Sequence, residues 1–485
     1  MPSIACRRKS GVPLSPGPPV FQDASFRDRS CRVFEWQGDV CRALSSAAAT
    51  NHRRLLELPF FTDAMDRGEI IETTAAPDLA PVALAAGYSA AVRHVRIPLI
   101  TWPWEWSFSM LREAALHHLN LMHRALKAGW ILCDASAFNI QFRAQTPVLI
   151  DTGSLVPLTP GTAWDGYRQF CQQFLYPLML QAWKGVHFQP WLRGRIDGIP
   201  PEQFSRLLSI RDLFRRGAFT HAWLHGLLAS RDSANQPVRQ SLSNAGFNQQ
   251  LILHNINKLQ RIVTGLNYRY SSSHWTDYTS TAPHVTSDQP VKTAFVHAAC
   301  SQIRPELTWD IGCNRGTYSR IAAEFGHVLA LDADHPTSDQ LFRTLRSEST
   351  ISSRRIMPLV HQAADPPPSQ GWRGRERTSL EHRSKPQLIL ALAVLHHLVI
   401  TNGLRLEDII DWLRSFNAPV ILEWIDREDP MVKRLLQNRE DVFSDFRFDA
   451  FTAAVNQHFR IARSTELPGR TRQLFLLEPA GSRVS

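Results

Sequence analysis

Beyond residue 290 the chain alternates short apolar runs with helix-length stretches, and few folds accommodate that rhythm. The strand-like runs are 308–311, 327–331, 356–360, 387–393 and 419–424. Helix-like runs fall at 317–325, 337–346 and 406–416. Apolar runs without polar alternation are strands covered on both faces, and strands alternating with helices pair in parallel through βαβ crossovers. A helical stretch at 449–459 then precedes two more strand candidates, 460–466 and 472–477, which read as an antiparallel hairpin at the sheet edge. The fold class predicted for this half is α/β, a Rossmann-like sheet of seven strands. The polar segment from Pro366 to Lys385 is predicted to be a surface insertion before the fourth strand.

At 485 residues the chain exceeds what one core serves. Residues 1–30 read as a disordered tail and 31–230 as a tryptophan-rich α+β domain. Residues 231–290 turn polar and read as a connector holding one helix, 251–263, before the α/β domain at 291–480. The net charge of +10 is dispersed, which suits an anionic ligand and leaves nucleic acid open as a partner without favouring it. Seven scattered cysteines form no CxxC pair, so no disulfide framework and no metal site is expected, and the chain is assigned to the cytoplasm. The longest apolar run, 388–400, is interrupted by His396 and His397 and is too short for membrane insertion.

The turn after the first strand reads DIGCNRG, and the second strand ends LALDAD. In an open α/β sheet, ligands bind beyond the strand carboxyl ends. Gly312 and Gly316 allow close backbone approach, and the helix opening near Thr317 offers free N–H groups. Asp332 stands where a carboxylate can accept both hydroxyls of a ribose. Asp310 at the mouth of the loop repels a pyrophosphate but suits an ammonium. Asn314, in place of a middle glycine, points the same way. A ribose joined to an ammonium-bearing tail describes S-adenosylmethionine better than NAD.

These two stretches resemble motifs I and II of class I S-adenosylmethionine-dependent methyltransferases, over about residues 291–480. The resemblance implies that Asp310, Gly312, Asn314 and Gly316 line the methionine end of the cofactor and that Asp332 holds the ribose. It also implies an adenine acceptor after the third strand, where either Gln362 or Asp365 fits. Strand four ends in His396 and His397, and either could serve as general base to an acceptor hydroxyl. Strand five brings Glu423 or Asp426 toward the same cleft, and Trp424 is either a pocket wall or a core residue.

In the first half, TWPWEWSFS places Trp102, Trp104, Trp106 and Phe108 at period two, predicting one buried face of an extended segment. A helix from about Ser109 to Ala128 follows, closed by Gly129. Then Asp134, Asn139 and Asp151-Thr152-Gly153 resemble the catalytic and metal loops of protein-kinase-like phosphotransferases. No lysine lies between Lys9 and Lys127 and no glycine-rich loop precedes them; Arg53, Arg54 and Arg93 are the basic candidates instead. Cys133 stands where a lysine is expected before the aspartate.

Both halves together resemble the NoeA-type nodulation proteins of rhizobia, on PWEWSFSMLREAAL, CDASAFNIQF, YRQFCQQFLYPLML, GWRGRERTSLEHR and LALAVLHHLVI. That resemblance implies a bacterial cytoplasmic methyltransferase linked to nodulation, acting on oxygen or nitrogen of a small-molecule or saccharide acceptor. The alternatives are a divergent kinase-like phosphotransferase and a non-catalytic interaction protein with a vestigial cofactor fold.

Overall fold

The computed structural model describes residues 19–231, 249–268, 285–348, 350–437, 440 and 442–481. The tail through residue 18 and much of the predicted connector lie outside the described residues. The chain forms two compact units, divided between Arg96 and Ile97. No helix among the described residues is long and apolar enough to cross a membrane.

The first unit is an antiparallel sheet of β1 (Val20–Phe21), β2 (Cys31–Trp36), β3 (Asp39–Leu44), β4 (Thr73–Ala75) and β5 (Ala90–His94), in the order β1-β2-β3-β5-β4. Helix α1 (Ser46–Leu56) starts where the Ser45 hydroxyl accepts the Ala48 N–H. Phe34, Cys41, Ala43 and Leu79 form its core. Arg93 on β5 grips Asp78 with both guanidinium arms, at 2.8 and 2.5 Å, and reaches Asp39 at 3.1 Å.

The second unit opens on the tryptophan stretch. Trp102, Trp104, Trp106 and Phe108 are all buried. The segment is not extended, however: Pro103–Glu105 form a 3₁₀ turn. Proline suits the first position of such a turn, and the Glu105 carboxylate accepts the Trp102 N–H at 2.7 Å, which closes it. Helix α2 (Phe108–Lys127) follows, and the chain leaves it through Gly129 at φ +75°. Next, β6 (Trp130–Leu132) pairs antiparallel with β9 (Leu155–Pro157), enclosing a hairpin of β7 (Ile140–Arg143) and β8 (Thr146–Leu149). Helices α3 (Gln189–Gly194), α4 (Gln249–Gly265) and α5 (Val285–Ile303) lead to the large sheet.

That sheet has seven strands: β10 (Leu307–Ile311), β11 (His327–Asp332), β12 (Ile356–Val360), β13 (Leu388–Ala391), β14 (Val420–Ile425), β15 (Phe459–Glu466) and β16 (Arg472–Pro479). Their order is β12-β11-β10-β13-β14-β16-β15. The first five are parallel and the last two form the antiparallel edge hairpin, as the sequence pattern predicts. The order reverses between β10 and β13, so the switch-point crevice lies at the carboxyl end of β10. Helices α5, α6 (Thr317–Ala322) and α7 (His335–Ser347) pack Val296, Cys300, Ala322 and Leu341 against Val328, Ala330 and Leu390. On β10 the intervening residue, Trp309, meets Phe416, just beyond α8 (Leu406–Ser415), at a ring distance of 5.0 Å.

The segment 366–385 lies on the surface in its first half, with residues 371–375 exposed, but its second half is anchored inward. Glu376, Leu380 and Ser384 are buried. Trp102 donates its indole N–H to the Thr378 carbonyl at 2.8 Å, and Arg383 forms a buried ion pair with Glu105. A polar segment can be buried when its charges find partners, and here the partner lies 278 residues away, where no local pattern signals it.

Further polar links join the same parts. Asp339 on α7 is buried and accepts the Ser107 hydroxyl at 2.7 Å, the Ser109 N–H at 2.6 Å and the Ser109 hydroxyl at 2.9 Å. Gln145, at the tip of the β7–β8 hairpin, donates to the carbonyls of Ser353 and Ile356 at 3.0 and 2.8 Å. Replacing Asp339 by alanine strands three buried donors, so Asp339→Ala is expected to lose about 2–4 kcal/mol. Denaturant melts of the full chain would show this as an early transition, and an unchanged midpoint would refute it.

Candidate active site

At the carboxyl end of β10 the chain turns back through three left-handed residues: Gly312 (φ +71°), Asn314 (φ +49°) and Gly316 (φ +74°). A Cβ on Gly312 would sit 3.3 Å from Val394, and one on Gly316 3.0 Å from Leu341. The backbone angle is what calls for glycine at both positions, and the neighbouring side chains leave little room besides. Asparagine is among the few side-chain-bearing residues that tolerate this backbone, so Asn314 preserves the loop that a middle glycine would otherwise form. The Gly312 and Cys313 N–H groups donate to the Leu331 carbonyl, at 2.8 and 3.2 Å, and pin the turn to β11.

The two strand-end carboxylates take different places. Asp332 is half-buried and accepts the Asn314 N–H on one oxygen and the Asp334 N–H on the other, each at 2.8 Å. A carboxylate oxygen has two lone pairs, so each keeps one for a further donor. Asp310 is buried, 2% exposed, and accepts the Ser319 hydroxyl at 2.5 Å. Burial pushes Asp310 up to about 7 despite the Ser319 bond, and pushes Asp332 up to about 6 against its two backbone donors.

After β12 the two adenine candidates are exposed. Arg193 of α3 holds both oxygens of Asp365 at 2.8 Å, and the Gln362 side chain accepts the Ala364 N–H at 3.4 Å. The residue between them and the strand, His361, escaped the sequence reading. It is buried, its N–H donates to the Asp332 carbonyl at 2.8 Å, and its Nδ1 has no partner among the described residues.

Two of the candidates, His396 and Glu423, are fully buried. Glu423 is fully buried on β14 and pairs with Lys292 of α5 at 2.6 Å and Arg472 at 3.5 Å, both through Oε1. Its Oε2 has no partner among the described residues. His396 is also fully buried, and neither ring nitrogen has a partner among the described residues. Burial, then His397, then the same two cations Arg472 and Lys292, hold its pKa well below the ordinary histidine value. His397 is half-buried, lies 3.4 Å from the Thr401 hydroxyl, and is lowered to about 4 by burial. Burial raises the pKa of Tyr318, just inside α6, and the charges of Glu423 and Asp310 raise it further. Trp424 points elsewhere: it packs on Phe446 and Phe451 in the core. Asp426 shapes its own turn by accepting the Glu428 N–H. Lys292 and Arg472 were not legible as site residues, because Lys292 meets Glu423 across 131 positions of sequence.

In the first half, Asp151 follows β8 and Asn139 precedes β7; the Asn139 amide donates to Asp151 at 3.4 Å. Asp134 accepts the Ser136 N–H at 2.8 Å, and burial, with Asp151 nearby, raises its pKa.

The raised acids set a pH signature. Their folded pKa values exceed the unfolded ones, so their favourable contribution is complete below about pH 4 and is lost as pH rises through about 6 and 7. Asp310→Asn keeps an acceptor for Ser319 and removes the buried charge. It is expected to stabilise the ligand-free protein by about 2–4 kcal/mol at pH 8 and hardly at all at pH 4. Thermal melts across that range would test the sign; destabilisation at pH 8 would refute it.

No protein-family model matches the chain. Among solved structures it is similar to the methyltransferase domain of bacterial CtHen1, with a TM-score of 0.27, 13% identity, and 39% of this chain and 98% of that one covered. It is similar to the N-methyltransferase NodS from Bradyrhizobium japonicum WM9 in complex with S-adenosyl-L-homocysteine, with a TM-score of 0.30, 10% identity, and 43% and 94% covered. It is also similar, over nearly the whole length of both chains, to the nodulation protein NoeA of Rhizobium meliloti (strain 1021). The two are 32% identical over 458 residues, which cover 94% of this chain and 95% of that protein. The chain belongs to the NoeA nodulation protein family.

Proposed function

We propose that residues 291–480 form an S-adenosylmethionine-dependent methyltransferase acting on an oxygen or nitrogen of a small-molecule or saccharide acceptor. The observation that carries this reading is Asp332, held by two backbone N–H groups at the lip of the glycine turn with one lone pair left on each oxygen. That donor set fits the two hydroxyls of a ribose. The loop fits too: Gly312, Asn314 and Gly316 hold it in a tight left-handed turn beside Asp332, and Asp310 supplies a negative charge for an ammonium once it ionises. S-adenosylmethionine, when bound, supplies an electrophilic methyl on a sulfonium.

The chain's own residues would prepare the acceptor. His396 is neutral and both its ring nitrogens lack a partner among the described residues, so it can hydrogen-bond and orient the acceptor, while burial, His397 and the two cations make it a weak proton acceptor. Glu423 Oε2 can accept a hydrogen bond from the same acceptor and orient it, while Lys292 and Arg472 fix the carboxylate through its other oxygen. By its kinship with the rhizobial NoeA protein, the activity would serve nodulation.

A second reading concerns Asp134, Asn139 and Asp151. The β6–β9 pair encloses the β7–β8 hairpin and brings the Asn139 amide to Asp151, the arrangement that a kinase-like phosphotransferase would need for magnesium and phosphate. Magnesium-dependent ATP binding, abolished in Asp151→Ala, would support it.

Calorimetric titration of S-adenosyl-L-homocysteine into the full chain tests the first reading. Asp332→Ala removes two charge-assisted hydrogen bonds and is expected to weaken binding by about 10²–10³-fold. Glu423→Gln acts on the acceptor side and is expected to stay within about threefold of wild type. Absence of binding by folded wild type at millimolar ligand would refute the reading.

A further inference from the structure

The nucleoside end of this site is bordered by side chains from outside the seven-stranded half. His335 opens α7, directly after the turn in which the Asp334 N–H meets Asp332. Its ring lies edge-on to His187, with centroids 3.7 Å apart. His187 in turn lies edge-on to Tyr268 at 6.1 Å, and the Tyr268 hydroxyl lies 3.4 Å from His187 Nε2. Burial lowers the pKa of His187 and raises that of Tyr268, and the Asp334 charge raises both. All three rings are half-buried, so they form a surface and not a closed core. On the neighbouring strand end, Arg193 ties Asp365 in place. His361, whose N–H donates to the Asp332 carbonyl, is 7% exposed, with its Nδ1 unpartnered among the described residues. A buried ring nitrogen left without a partner marks a place where a donor is expected to arrive.

We propose that Tyr268 and His187, which precede the seven-stranded domain, wall the nucleoside of the cofactor beside Asp332. The inference rests on the methyltransferase reading above. A purine is flat and apolar on its faces and carries donors on its edge. Aromatic rings beside Asp332 and an unpartnered imidazole nitrogen one strand away match those two characters. The cofactor site is then shared between the two halves of the second unit, and residues 291–480 alone would bind the cofactor poorly.

The test uses the full chain, with S-adenosyl-L-homocysteine and 5′-methylthioadenosine as calorimetric probes of wild type, His187→Ala, Tyr268→Ala and Asp310→Ala. A wall of the nucleoside acts on both probes alike, so each ring deletion is expected to weaken both by about tenfold or more. Asp310→Ala is expected to weaken only the probe that carries the amino-acid tail. A general loss of structure would not produce that split. Tyr268→Phe, which keeps the ring, is expected to bind within about threefold of wild type. The inference is overturned if wild type binds S-adenosyl-L-homocysteine while both ring deletions stay within about twofold of it. It is equally overturned if the deletions spare methylthioadenosine, if wild type takes only the homocysteine compound, or if Tyr268→Phe loses as much as Tyr268→Ala. A wild type that binds neither probe fails at the methyltransferase reading itself, and both ideas fall together.

Discussion

The carboxylate of Asp339 holds the second unit together at its seam. It is buried, and a buried charge is tolerable only when its lone pairs are used. Here three are, all by donors at the start of α2. One of these, the Ser109 N–H, belongs to the first turn of the helix, where no intrahelical acceptor exists. The helix thus receives part of its N-terminal cap from a different helix far along the chain. Glu105 with Arg383, and Gln145 with the Ser353 and Ile356 carbonyls, repeat the pattern at other points. Apolar surface alone would allow the halves to slide; directional bonds to buried groups fix one register.

The candidate site depends on that register. The glycine turn and Asp332 are properties of the sheet, set by the β10–β11 pairing in which Asp310 faces Ala330 and Ile311 faces Leu331. The surroundings are not properties of the sheet. Lys292 comes from the helix before β10, and Arg193 and His187 come from the region after the β6–β9 pair. The sheet supplies the generic part of a ligand site at its switch point, and the appended elements supply what distinguishes this chain.

The same division separates what was legible in sequence from what was not. All seven strands of the large sheet lie within a residue or two of their predicted positions, because their apolar runs are local signals. The turn was legible for the same reason: Gly312, Asn314, Gly316 and Asp332 are tied by short spacing. The burial of the tryptophan stretch is legible, but the short 3₁₀ turn at Pro103–Glu105, between the extended Trp102 and Trp106, is not, because the Glu105 contact that closes it leaves no mark on the period-two pattern. Segment 366–385 is exposed in its first half, as its polarity predicts, but not in its second. Its polarity is that of a surface loop, and only Glu105, far upstream, makes burial of Arg383 affordable. His361 was missed because a single histidine beside two better acceptors carries no pattern at all.

The seam also dictates an order of events during synthesis. Ser107 leaves the ribosome 232 residues before Asp339 does. At the elongation rates of living cells, roughly 5–20 residues per second, that interval is on the order of ten seconds or more. Throughout it Trp102, buried in the finished protein, has no segment 366–385 to lie against, and α2 lacks its borrowed cap. A chain broken off before Asp339 therefore keeps the start of α2 without its cap and Trp102 without its acceptor, so the first half of this unit reaches its finished packing only after the carboxyl-terminal sheet has been made.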